Sequence, residues 1–307
     1  MVLPCAGSPV TRGIIVDSTA RLTPEDIKEL SAHCVLRTVD LTIRVGEEDR
    51  CDSAWTPTEV CSALRRGQRV ATSMPEPDAF AHALHELEEA GVDDVLILTM
   101  SGEMSGTFKS ARAAAASSNL LAEVVDSLTL SAGLVGAARV AAYTSGMELD
   151  VAAKEVAHWC RNGTRVAFIP ESLDWLQAGG RIGAAAALIG KTLSIVPVLG
   201  LSDGRVVTRG KVRTRSKAVA KLVDFVRESC DVLGGEVPVD IVVVHSEQDV
   251  DGANAAAREL VDAVTEVVAG PDADAQVNVE TRVVSTVVTG HVGPGTVGVF
   301  VQSRPSG

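Results

Sequence analysis

A strand-like apolar run, Val95-Leu96-Ile97-Leu98-Thr99-Met100, gives way at once to Ser101-Gly102-Glu103-Met104-Ser105-Gly106 and then to an alanine-rich stretch from Thr107 to Ala116. Strand, glycine turn, helix: that order constrains the fold more than any other segment. Glycine lets the backbone turn sharply and lets a ligand approach it. The first amides of the following helix lack intrahelical partners and carry partial positive charge, so the turn is suited to an anion.

The same order recurs through the first half. Gly13 to Val16 predicts a strand ending in Asp17-Ser18-Thr19, and Thr23-Pro24 opens a helix with threonine as cap and proline first. Val35 to Val45 reads as one strand turning at Gly46. Thr56-Pro57-Thr58-Glu59 is a capping box, and Gly67 closes its helix. A helix from about Pro77 to Ala90, a strand from Ala122 to Val125 and a helix from Ala132 to Ser145 follow. Such alternation predicts an α/β fold, a mostly parallel sheet with helices on both faces. Polar clusters follow three of its strands, where ligands collect in such sheets.

Beyond the 161–164 region the pattern changes. Ser194 to Leu201 and Val206 to Val212 flank Ser202-Asp203-Gly204-Arg205, a hairpin signal. Helices are expected over Arg215–Cys230 and from about Asp249 to Val268. Strands Val277–Val288 and Val297–Gln302 are expected to bracket a glycine-rich loop, Gly290 to Thr296. The expectation is two domains: an α/β domain over 1–162 and an α+β domain with an antiparallel sheet over 163–307.

Bulk properties narrow the function. A net charge of −12 argues against nucleic acid or an anionic membrane as the main partner. Aromatics are only 3%, so the interior is aliphatic. Six scattered cysteines without a C-x-x-C pair read as reduced thiols, and no signal peptide or membrane span is evident, so a cytoplasmic location is expected.

Several chemistries compete for the Ser101–Gly106 turn. Gly102-Glu103-Met104-Ser105-Gly106 departs from the Gly-x-Ser-x-Gly elbow of serine hydrolases, though His245 or His291 offers a base in principle. The turn lacks the Gly-Lys-Ser/Thr ending of a nucleotide loop, which leaves a phosphosugar site open. Helix capping by the two serines is compatible with every alternative. His82 and His85 lie three apart on a charged helix and fit a solvated face better than a metal site. His291 sits among glycines that can aim it, where a protonated imidazole would suit a carboxylate. Arg181 follows the pair Gly179-Gly180 and has the same character. Lys211, Arg213, Arg215 and Lys217 form a basic cluster on an acidic protein.

Taken together, Val16-Asp17-Ser18-Thr19, Thr72-Ser73-x-Pro75, Ser101-Gly102-x-x-Ser105-Gly106-Thr107, Val125-Asp126-Ser127, Gly179-Gly180-Arg181-Ile182, Lys211-Val212-Arg213 and Gly290-His291-x-Gly293-Pro294-Gly295-Thr296 stand in an order that resembles the DegV family of bacterial fatty-acid-binding proteins. The resemblance implies a two-domain fold with a long-chain fatty acid between the domains and no cofactor. It implies that Thr72 and Ser105 hold the carboxylate, with Ser101, His291 and Arg181 as further polar candidates. It also implies a non-catalytic role, in which a separate ATP-dependent fatty acid kinase phosphorylates the bound acid and Arg213 helps dock it. Met74 and Glu76 stand where the family often has glutamine and serine, and Val292 where threonine is commoner. A hydrolase or a phosphosugar-binding enzyme built on the same turn is the alternative.

Overall fold

The computed structural model describes residues 11–188, 195–234, 238–247, 255–268 and 277–305. The chain begins with β1 (Arg12–Asp17), α1 (Pro24–Leu30), β2 (Val35–Val39), β3 (Thr42–Val45), β4 (Glu48–Cys51), α2 (Pro57–Arg65) and β5 (Val70–Ser73). It continues through α3 (Pro77–Glu89), β6 (Asp94–Thr99), α4 (Thr107–Ala115), β7 (Leu121–Asp126), α5 (Ala132–Tyr143) and α6 (Leu149–Asn162).

Strands β2-β1-β6-β7 form a wholly parallel sheet. Every residue of β1 and β6 is buried, as a sheet covered on both faces requires. Ile14, Val16, Leu96 and Leu98 face Leu134 and Val135 of α5 and Val156 of α6. Ile15, Val95 and Ile97 face Phe80 and Leu84 of α3 and Ala111 of α4. Capping starts the helices where the sequence predicts: Thr23 Oγ1 accepts from Asp26 N (3.2 Å), and Asp26 accepts from Thr23 N (2.8 Å).

The remaining elements are β8 (Thr164–Ile169), α7 (Asp174–Ala178), β9 (Val196–Ser202), β10 (Arg205–Val212), α8 (Arg215–Gly234), β11 (Val239–His245), α9 (Ala255–Val268), β12 (Val277–Val283), α10 (Thr286–Val292) and β13 (Val297–Ser303). Their sheet runs β10-β9-β8-β13-β11-β12, antiparallel except for the β11/β12 pair. One face packs against Leu222 and Val226 of α8 and Leu260 and Val264 of α9. The other presents Val166, Val244 and Phe300 to Val284, Val288 and Ala132, so it turns toward α5 of the first half.

Three differences separate the structure from the sequence reading. Val35–Val45 is not one strand, because it breaks at Asp40-Leu41. β2 joins the parallel sheet, while β3 joins a separate antiparallel sheet of order β4-β3-β5. Val277–Val288 is not one strand either. It ends at Val283, and Ser285 Oγ caps a new helix by accepting from Val288 N (3.3 Å). His291 therefore lies in the last turn of α10, not in a loop. Gly290 permits this, since a Cβ there would stand 2.9 Å from Val70 Cγ1 on β5. Helix α6, with no predicted counterpart, is the third difference. The predicted helix residues 249–254 and the loop at 270–274 lie outside the described residues.

Candidate functional site

A cavity of about 970 Å³, counting its mouth, lies between the parallel sheet's loops, the small antiparallel sheet and the inner face of the second sheet. Its walls are chiefly aliphatic and aromatic, with Leu130, Val166, Phe168, Val244, Val288 and Phe300 among them. Polar side chains from distant segments enter it: Thr72 from β5, Ser105 from the turn before α4, Arg181 after α7 and His291 from α10.

Thr72 Oγ1 and His291 Nε2 are 2.8 Å apart, a bond spanning 219 positions of sequence. The imidazole's other nitrogen, Nδ1, is buried without a partner. A Cβ on Gly179 would stand 2.2 Å from that nitrogen, so the glycine makes room for the ring. Gly180 turns the chain with φ +70°, a conformation that favours glycine. Burial, reinforced by the charge of Arg181, pushes His291 down to about 4. The imidazole is therefore neutral near pH 7 in the unliganded site, which corrects the expectation of a protonated ring. In its Nε2–H tautomer it donates to Thr72 and leaves the threonine proton free for a ligand oxygen.

Arg181 Nε donates to Met104 O (3.0 Å), and its Nη1 donates to Gly179 O. These carbonyls fix the guanidinium without neutralising it. Among the described residues, no carboxylate forms a salt bridge with it. A positive charge thus stands in the wall of a largely apolar cavity, beside two neutral polar groups. Such an arrangement attracts one anion with an apolar body.

Ser105 Oγ lies 2.8 Å from Thr107 Oγ1 and accepts weakly from Thr107 N (3.3 Å), so it steadies the start of α4 while lining the cavity. Ser101 is placed differently. It is fully buried, donates to Gly204 O (2.8 Å) and accepts from Glu103 N (3.2 Å), tying the turn to the β9–β10 hairpin. Its hydroxyl is committed there, and Ser101 is not part of the cavity wall. Among the described residues, neither serine is hydrogen-bonded to a histidine, and His245 Nδ1 instead meets Glu247 O at 2.7 Å. Arg213 is exposed between β10 and α8 and stands outside the cavity wall.

Met100, Met104 and Ser131, not anticipated as site residues, also line the cavity, as do His245 and Met74, whose side chain lies across Gly106. Met74 is half exposed, and Glu76, just before α3, makes no capping bond. The helical positions of His82 and His85 pair them with neighbouring glutamates, the closest being His82 Nε2 to Glu86 Oε1 at 3.2 Å. Among the described residues, no three His, Cys, Asp or Glu side chains converge as metal ligands, and no helix is long and apolar enough to cross a membrane.

Residues 11–304 match the model of the DegV family, described as uncharacterised proteins of that family. A DegV domain-containing protein of Streptomyces coelicolor is 36% identical over 293 residues, which cover 95% of this chain and 98% of that protein. A fatty acid-binding protein of Thermotoga maritima is 28% identical over 253 residues, covering 80% and 83% of the two chains. Among solved structures, a fatty-acid-binding DegV family protein from Thermus thermophilus superposes with a TM-score of 0.82 at 27% identity, covering 96% of this chain and all of the other. A DegV lipid-binding protein from Thermotoga maritima gives 0.76 at 25% identity, with 97% and 100% covered. Matched along nearly its whole length in sequence and in fold, the chain belongs to the DegV family.

Proposed function

We propose that this protein is a non-catalytic carrier of a long-chain fatty acid, and that it presents the acid's carboxylate to a partner fatty acid kinase in the cytoplasm. The observation that carries the reading is the unneutralised Arg181 beside the Thr72–His291 pair in the wall of an aliphatic cavity. Thr72 and Ser105 donate to the carboxylate, Arg181 supplies charge, and His291 orients Thr72. Ser101 acts indirectly, by holding the turn that carries Ser105. The halves 1–162 and 163–307 serve as two domains with the ligand between them.

Magnitudes favour this arrangement. Burying one methylene contributes about 0.8 kcal/mol, so a chain of about sixteen carbons offers on the order of 10 kcal/mol before ordering costs. The polar end then needs only to avoid leaving the carboxylate bare. The fatty-acid-binding relatives from Thermotoga maritima and Thermus thermophilus support the same ligand class. The kinase step rests on the family resemblance and on the exposed Arg213.

Solvent extraction of protein purified from cells, followed by mass spectrometry, is expected to release a fatty acid in near-stoichiometric amount. Protein that carries none and takes none up would overturn the reading. Charge reversal, Arg213→Glu, is expected to impair phosphorylation of the bound acid while leaving lipid binding unchanged. Normal phosphorylation by that variant would remove Arg213 from the docking surface.

A further inference from the structure

One buried side-chain hydroxyl in the cavity wall has no partner among the described residues. Ser131 lines the cavity and is 3% exposed, yet it makes no capping bond to α5, which it immediately precedes. Among the described residues its Oγ makes no hydrogen bond. Its backbone is also unusual for serine, with φ 53° and ψ −130°.

The surrounding loop holds that conformation. Asp126 Oδ1 accepts from Leu128 N (3.0 Å), and Ser127 Oγ accepts from Thr129 N (3.3 Å). Thr129 O accepts from Ser101 N (2.8 Å), while Ser131 O accepts from Leu134 N (2.9 Å). A strained residue persists where its neighbours over-determine it, and such residues cluster at ligand sites.

The chain neighbours of Ser131 are apolar. Leu130 and Ala132, on either side of it in the chain, pack with Val166, Val244, Val284 and Phe300, which extend the apolar wall of the cavity whose polar end holds Thr72 and His291. A ligand whose carboxylate occupies that polar end and whose tail fills this apolar wall passes Ser131 along its hydrocarbon chain. A plain methylene chain covers the hydroxyl without satisfying it, which is unfavourable. An oxygen on the chain satisfies it.

We infer that the cavity recognises acyl chains bearing a hydroxyl group, and that Ser131 is the residue that reads it. The inference rests on the fatty-acid reading of the cavity. It extends that reading from the carboxylate to the chain.

The test is equilibrium binding of stearic acid and a panel of hydroxystearic acids, differing in hydroxyl position, to delipidated protein. Wild type is expected to bind at least one positional isomer about 5- to 10-fold more tightly than stearate, as one added hydrogen bond allows. Ser131→Ala and Ser131→Gly are expected to lose that preference while retaining stearate. The glycine variant relieves the backbone strain and so guards against misfolding of the alanine variant. If wild type favours no isomer, or if both variants keep the preference, Ser131 does not read the chain. If wild type binds neither stearate nor any isomer, the fatty-acid reading itself fails and the inference falls with it.

Discussion

His291 and Asp17 are the two titrating side chains whose burial matters most near the site, and they respond to pH in opposite directions. Burial pushes the Asp17 carboxyl up to about 6, against the bonds it accepts from Thr19 and Met100 N. The raised carboxyl favours the fold at low pH, and that contribution is lost as pH rises through about 6. His291, pushed down to about 4, favours the fold above its ordinary 6.5, and that contribution is lost as pH falls through about 4. Between pH 4 and 6 the two oppose each other. Denaturation midpoints should therefore rise with pH in Asp17→Asn relative to wild type over that window, and fall in relative terms for His291→Gln. Parallel curves for all three proteins would contradict the assignment. Removing the Thr72 hydroxyl tests the same pair differently. Thr72→Ala leaves a second imidazole nitrogen unsatisfied and should weaken fatty acid binding about 10-fold, as read by displacement of a fluorescent acyl probe.

At the scale of elements, α10 decides where His291 stands, and Asp52 decides where α10 begins. The Asp52 carboxylate is buried and accepts from Thr286 Oγ1 (2.6 Å), Val287 N (3.1 Å) and Ser18 Oγ (2.8 Å). Asp52→Ala should cost about 2–4 kcal/mol, seen as a lowered midpoint in urea, and should also weaken ligand binding. A variant with unchanged stability would show that α10 is fixed by packing alone. This element was the least legible in the sequence. Gly290, Gly293, Pro294 and Gly295 read as loop residues because glycine and proline usually interrupt helices. Gly290 is instead required for close packing on β5, a tertiary reason that composition cannot express. The break at Asp40-Leu41 was hidden for a similar reason, since β2 and β3 pair with different sheets. The parallel sheet was legible because β1 and β6 are continuous apolar runs and the helix caps are local. Thr72, His291, Arg181 and Ser105 were legible through their motifs. Ser131, Met100 and Met104 were not, because nothing local marks which face of a loop will line a cavity.

Across the whole molecule, the two halves are joined by buried polar contacts as well as by apolar packing. Asp26 on α1 is 1% exposed and accepts from Arg282 on β12 and from Arg139 on α5 (3.0 Å). Burial raises the Asp26 carboxyl, but Arg282, Thr23 and Arg139 outweigh it and hold it below its ordinary value. Gln302 Nε2 donates to Ala132 O (2.8 Å) across the same junction. Arg282→Ala should cost about 3–5 kcal/mol, because it strips the main partner from a buried carboxylate. Calorimetry that shows no loss would mean water or Arg139 replaces it. These contacts hold the aliphatic wall and the Arg181 end of the cavity in one arrangement, and the proposed carrier function depends on that arrangement. Isothermal titration of delipidated protein with oleate tests it most directly, comparing wild type with the Thr72→Ala, Ser105→Ala double variant. The account predicts one site per chain in wild type and affinity at least about 10-fold weaker in the double variant, with its fold intact. No uptake by wild type, or equal affinity in the two proteins, would contradict it.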